Sequence, residues 1–273
     1  MLPKKSLHHV GITLATPEEM AREVELAIRE RRAASSLAAI NVHTFIEAQR
    51  SPRYRDALND ASIGWIDGVP IRWLVHAGGF PPPPRIHGAD LFLLLLERLK
   101  DARHLFYGST PETLRLLEQR LNERLPGIRT VGFISPPFRK EASRESPDLL
   151  DQLNATGADV IWVALGAPKQ ELWAMLNRKG LRIPVIACVG AAFEIHAGRY
   201  SRAPLWLQRL GLEWLWRMLQ NPARLWRRYF STNGAFLALL LRTALFGAGK
   251  TSGSEPQNPR SPHARSGFGG PDA

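Results

Sequence analysis

The residues Gly166, Ala167, Pro168, Lys169, Gln170 and Glu171 follow an apolar run at 158–165, so a buried strand hands over directly to a helix start. In open α/β sheets that junction is where ligands collect. Gly166 permits close backbone approach and Pro168 suits an early helical position. Lys169 can meet a phosphate, and Gln170 can make paired amide contacts to a base or sugar. The same residues also read as an ordinary first turn in which Glu171 favours the helix dipole. Asp67 ends another apolar run before Gly68, where a carboxylate within about 3 Å of a hydroxyl acts as a general base; it also reads as a helix cap or loop acid.

Further chemistry lies in the segment Arg85-Ile-His-Gly-Ala-Asp90. Arginine forks onto phosphate, and Asp90 can orient it or bind a sugar hydroxyl. One histidine, His87, beside one aspartate is thin support for a metal, so no metal is expected. Gly108, Ser109 and Thr110 stand between a strand and a helix, where backbone N–H groups hold anions. Neither GxGxxG spacing nor a P-loop Gly-Lys-Ser/Thr is present there. Phe193 and Glu194 mark one more glycine-containing junction. Downstream lie Arg209, Arg217, Arg224, Arg227 and Arg228, where spacings of seven and four place Arg217, Arg224 and Arg228 on related helix faces if the break at Pro222 is mild. Interleaved with Trp and Leu, they suit a helix on anionic lipid, or a solvated rim around a helical core.

These groups need elements to hold them. Alternating strands and helices from residue 17 to about 200 predict an α/β fold with a mostly parallel sheet flanked by helices and right-handed crossovers. Helices are expected at 17–32, 44–49, 53–59, 69–77, 89–100, 110–126, 146–157 and 168–180. Strands are expected at 36–41, 61–68, 103–108, 128–133, 158–166 and 183–190. The run at 78–84, with four prolines, reads as a stiff connector or a lid. Residues 1–200 form the expected core. Residues 201–246 form a basic, Trp-rich helical appendage broken at Asn221-Pro222 and more softly at Asn233-Gly234. Residues 247–273, rich in Gly, Ser and Pro, form an expected disordered tail.

The bulk numbers narrow the partners. The 273 residues carry a formal charge of +11, which suits nucleic acid, nucleotide phosphates or an acidic membrane surface. The one cysteine, Cys188, sits in an apolar run, which argues for a buried thiol and against disulfides or a cysteine zinc site. Neither a secretory signal nor about 18 uninterrupted apolar residues is read, so a cytoplasmic location is expected.

Taken in order, INVHTF, WIDGVPI, RIHGAD, YGSTPE, VALGAPKQE, GAAFEIHAG and RAPLWLQRLGLEWLWRMLQNPARLWRRY resemble the WecG/TagA/CpsF glycosyltransferases of bacteria over roughly residues 8–245. The resemblance implies a Rossmann-like core with a membrane-associating helical appendage. It implies inverting transfer of a sugar from a nucleotide donor, usually UDP-linked, to a polyprenyl-diphosphate-linked sugar at the inner face of the plasma membrane, in cell-surface polysaccharide assembly. It also implies no metal and no cofactor. The family's base falls on Asp67, its amide on Gln170, its arginine and acid on Arg85 and Asp90, and a substrate-contacting asparagine on Asn41. Its appendage arginines fall on Arg209, Arg224 and Arg227 or Arg228, engaging donor or lipid phosphates. Two departures stand out: Ala39 where many members have threonine, and Glu194 where aspartate is common. A non-enzymatic nucleotide- or RNA-binding module is the alternative, and a nicotinamide oxidoreductase is disfavoured by the missing GxGxxG turn.

Overall fold

The computed structural model describes residues 2–32 and 34–247, without the side chains of Arg224 and Arg228. It opens on an antiparallel hairpin of β1 (Lys4–Leu7) and β2 (Val10–Thr13). No strand was expected here, because the turn is made by His8 and His9 in left-handed conformation rather than by Asn or Gly.

Then follow α1 (Pro17–Arg29), β3 (Ser35–Ile40), α2 (Val42–Arg50), α3 (Pro52–Asp60), β4 (Ile63–Ile66) and α4 (Val69–Ala77). The second half of the core runs α5 (Gly88–Arg98), β5 (His104–Gly108), α6 (Pro111–Arg124), β6 (Thr130–Ile134), α7 (Pro147–Ala155), β7 (Val160–Ala164), α8 (Lys169–Asn177), β8 (Val185–Cys188) and the short α9 (Ala192–His196). Helix starts carry their own signals. Thr16 and Glu19 form a capping box on α1, and Ser51, Thr110 and Ser146 cap α3, α6 and α7, each followed by proline in the first turn.

The main sheet has six parallel strands in the order β4-β3-β8-β7-β5-β6. Every residue of β4, β5, β7 and β8 is buried, as a parallel sheet covered on both faces requires. Alternate residues serve opposite faces. Trp65, Phe106 and Trp162 pack with Phe92 of α5, Leu117 of α6 and Phe193 of α9. Ile40 and Ile66 face Phe45 of α2, Tyr54 of α3 and Ile71 of α4, while Tyr107, Val163 and Cys188 face Trp173 of α8. Cys188 is 1% exposed, and burial pushes its thiol well above the usual range.

The appendage comprises α10 (Leu205–Arg209), α11 (Glu213–Gln220) and α12 (Pro222–Phe246). The break at Asn221-Pro222 is present, but α12 runs unbroken through Asn233-Gly234. Its buried Thr232, Phe236 and Thr243 lie on the side that packs against α2 and α4, and Phe236 joins their core cluster. Burial of this kind offsets the roughly 1 kcal/mol that glycine costs a helix. Among the described residues no helix is long and apolar enough to cross a membrane. Of the expected tail only Gly247 is described; the remainder lies outside the described residues.

Candidate active site

All six parallel strands end at one cavity of about 600 Å³. Its lining takes Asn41 after β3, Asp67 after β4, Ser109 after β5, Ser135 after β6, Gly166 after β7 and Gly190 after β8. The size suits a cofactor- or substrate-sized ligand. A second cavity of about 130 Å³ lies between the core and the appendage, walled by Val69, Pro70, Trp214 and Trp216. The two share Asn41, Asp67, His87, Ile195, Tyr200, Arg217 and Tyr229.

Asp67 is the carboxylate common to both cavities among the described residues. Its backbone N–H donates to Ile40 O at 2.9 Å, which carries the β3–β4 ladder one residue further. Its Oδ1 accepts from Gly88 N at 3.1 Å, at the first turn of α5, and its Oδ2 lies 3.5 Å from Asn41 Nδ2. Asn41 is itself fixed as the cap of α2, its Oδ1 accepting from Thr44 N at 3.1 Å. His87 caps α5 through Nδ1, which accepts from Ala89 N at 3.2 Å. Among the described residues no three His, Cys, Asp or Glu side chains group so as to hold a metal ion.

Three polar atoms buried at the larger cavity have no hydrogen-bond partner among the described residues: Gln170 Oε1, Glu194 Oε2 and Trp65 Nε1. Gln170 is 3% exposed, and its Nε2 donates to Glu171 Oε1 at 2.8 Å. Glu171, also buried, accepts from Tyr54 OH at 3.2 Å through its other oxygen. The amide is thereby oriented with its carbonyl oxygen as the uncommitted group. Glu194 Oε1 accepts from Ser109 Oγ at 3.3 Å. Ser109 has a left-handed φ of 60°, an uncommon conformation for a residue with a side chain. Before it, Gly108 is required, because a Cβ there would sit 2.5 Å from Ala164 O. Gly166 is needed for another reason: its φ is 79°, while nothing crowds the position.

One wall is a loop after β6. Ser135, Pro136, Pro137 and Phe138 line the cavity, and the loop is anchored by buried Glu145. Glu145 accepts from Tyr107 OH at 2.9 Å, Trp173 Nε1 at 2.8 Å and Arg139 at 2.8 Å. Burial first, then Glu145, pushes the Tyr107 hydroxyl well above its ordinary range. Lys169 lines the cavity with its Nζ engaged: it donates to Arg139 O at 2.8 Å and lies over the Phe138 ring.

Of the residues singled out in the sequence, Asn41, Asp67, Ser109, Gly166, Lys169, Gln170, Glu194 and Arg217 meet at the larger cavity. Others stand apart. Arg85 pairs with Glu213 of α11, and Asp90 pairs with Arg202, so both join core to appendage rather than line a cavity. Phe193 is fully buried against Phe92 and Phe106, and Gly108, the buried last residue of β5, lines neither cavity. Arg209 is exposed outside both cavities; Arg227 is exposed and lies over the Trp226 ring. The side chains of Arg224 and Arg228 lie outside the described residues. Pro81 to Pro84 line neither cavity. Sequence reasoning missed Trp65, Tyr200, Tyr229 and the Ser135–Phe138 wall, and read Glu171 only as an acid favouring the helix dipole. Trp65 was legible as the residue two before Asp67 on the same strand, hence on its face.

Comparison with known proteins bears on this arrangement. The family model described as "Glycosyl transferase WecG/TagA/CpsF family" matches residues 5–250. The chain is 31% identical over 210 residues to an N-acetylglucosaminyldiphosphoundecaprenol N-acetyl-beta-D-mannosaminyltransferase of Bacillus spizizenii, covering 76% of this chain and 79% of that relative.

Proposed function

The chain belongs to the WecG/TagA/CpsF family of glycosyltransferases, and from that premise we propose that it transfers a sugar, with inversion, from a UDP-linked donor to a polyprenyl-diphosphate-linked saccharide in cell-surface polysaccharide assembly. The observation that carries this reading is the position of Asp67 where two cavities meet. The larger cavity, at the strand ends, takes the nucleotide-sugar. The smaller one, walled by Trp214 and Trp216 and open to the appendage, takes the acceptor sugar and its diphosphate.

In that arrangement Asp67 removes the acceptor hydroxyl proton as the oxygen attacks the anomeric carbon from the face opposite the nucleotide. The C–O bond to the diphosphate breaks in the same displacement, which inverts the configuration. Arg217 lines both cavities and has no ion-pair partner among the described residues. Its guanidinium meets the negative charge developing on the leaving diphosphate, with helix-start N–H groups assisting. No metal or cofactor takes part in this scheme.

The appendage carries the membrane part of the reading. Trp226, Phe230, Leu237, Leu241 and Leu245 are exposed along one side of α12 at helical spacing. Such an apolar stripe, over a helix about 37 Å long, supports a helix lying in the interface of an anionic inner leaflet. The enzyme is then peripheral, held where the lipid-linked acceptor is concentrated.

A donor screen tests the whole reading. Purified protein, anionic vesicles and a polyprenyl-diphosphate-linked monosaccharide are incubated with each UDP-sugar, reading mass gain on the lipid and UDP release. One sugar unit gained from one donor is expected. Absence of both donor binding and transfer overturns the proposal.

A further inference from the structure

Trp65 is 1% exposed and lies at the larger cavity, yet its indole Nε1 has no hydrogen-bond partner among the described residues. Burying a donor without an acceptor is costly, and an indole N–H can only donate. The surroundings offer it little. Its partner across the β3–β4 ladder is Ala39, which has no polar side-chain atom. Its ring stands near Gly88: Cζ2, on the nitrogen-bearing side of the indole, comes within 3.7 Å of where a Cβ on that glycine would sit. Asp67 Oδ2 lies 3.9 Å from the same point. The buried indole and the catalytic carboxylate thus converge above Gly88, where an added side chain would intrude.

We infer that Trp65 determines donor specificity, its Nε1–H donating to an oxygen substituent of the transferred sugar: a hydroxyl, an acetamido carbonyl or a carboxylate. This rests on the nucleotide-sugar reading above. Asp67 acts at the bond being formed to the anomeric carbon, so a group beside it meets the sugar rather than the base or ribose. Ala39, opposite Trp65 on the ladder, offers the indole N–H no acceptor side chain.

Trp65→Phe keeps an aromatic ring and removes the N–H. Wild type and variant are titrated by calorimetry with UDP alone and with UDP-N-acetylmannosamine, UDP-N-acetylmannosaminuronic acid and UDP-glucose. The variant should bind UDP like wild type and the preferred UDP-sugar about tenfold more weakly. In the wild-type protein labelled with ¹⁵N at its eight tryptophans, one indole proton should move downfield on adding that UDP-sugar and not on adding UDP. Unchanged affinity of the variant for every UDP-sugar overturns the inference and leaves nucleotide-sugar binding intact. Wild-type protein that binds neither UDP nor any UDP-sugar removes the underlying reading and the inference with it. Should Trp65→Phe fail to fold, the wild-type spectra decide, and eight indole signals indifferent to the sugar overturn it.

Discussion

Asp67→Asn changes one atom's chemistry while keeping its size. The new carbonyl oxygen still accepts from Gly88 N, at 3.1 Å in the parent. The amide nitrogen replaces the oxygen 3.5 Å from Asn41 Nδ2 and sets donor against donor. Losing one long, half-buried contact costs about 0.5–1 kcal/mol. For a chain of this size that lowers Tm by roughly 1–2 °C. The proton acceptor, by contrast, is removed outright. General-base catalysis contributes about 10²–10⁴-fold, so kcat should fall by that factor, or about 2.7–5.5 kcal/mol of barrier. Donor KM should change about twofold or less, because the substitution removes an interaction made in the transition state. The assay follows UDP release and transfer to a soluble diphosphate-linked acceptor, beside thermal melts of both proteins. A variant that melts near wild type and keeps kcat within about tenfold refutes the assignment of Asp67 as the base.

Arg217→Ala should lower kcat/KM about 100-fold with little change in Tm, since the guanidinium has no ion-pair partner among the described residues; steady-state kinetics and a melt check both. Leu237→Glu combined with Leu241→Glu places charges on the outer side of α12, where both leucines are more than half exposed. Cosedimentation with anionic vesicles should fall at least about tenfold, while turnover of a soluble acceptor stays unchanged; undiminished vesicle binding contradicts the interfacial helix. His104 is buried, its Nε2 donating to Leu99 O at 2.9 Å and its Nδ1 accepting from Trp162 Nε1 at 3.1 Å. Burial lowers its pKa from 6.5 to about 4. Between those values the unfolded chain binds the proton more tightly. Its contribution to stability is therefore full above pH 6.5 and is lost as pH falls toward 4, by about 3 kcal/mol in all. Denaturant unfolding at pH 7 and 4.5 measures this, and His104→Gln should remove most of the difference due to this site.

The parallel sheet was legible because its signals are local. Continuous apolar runs such as 158–165, with capped and proline-led helices between them, state both the strand type and its burial. Asp67 and Gln170 could be placed at strand ends for the same reason. Arg85 could not be placed: its partner Glu213 is far along the chain, and an arginine's sequence neighbours do not reveal which carboxylate it meets. The β1–β2 hairpin escaped because Lys4 and Lys5 weaken the strand pattern, and two histidines make a turn that glycine or asparagine usually makes. Asn233-Gly234 reads locally as a break. Packing of Phe236 into the core overrides it, and packing is a tertiary fact.

The two helices under α12 both spring from the chemistry. α2 is capped by Asn41, and α4 begins one residue after the Asp67-Gly68 turn. Each is a short rigid rod with one end at the reacting groups and its flank against α12. A tilt of α12 would therefore be carried along two levers whose tips are the asparagine and the aspartate. On the proposed reading, seating the appendage on a surface and setting the angle of the base would be, mechanically, one adjustment.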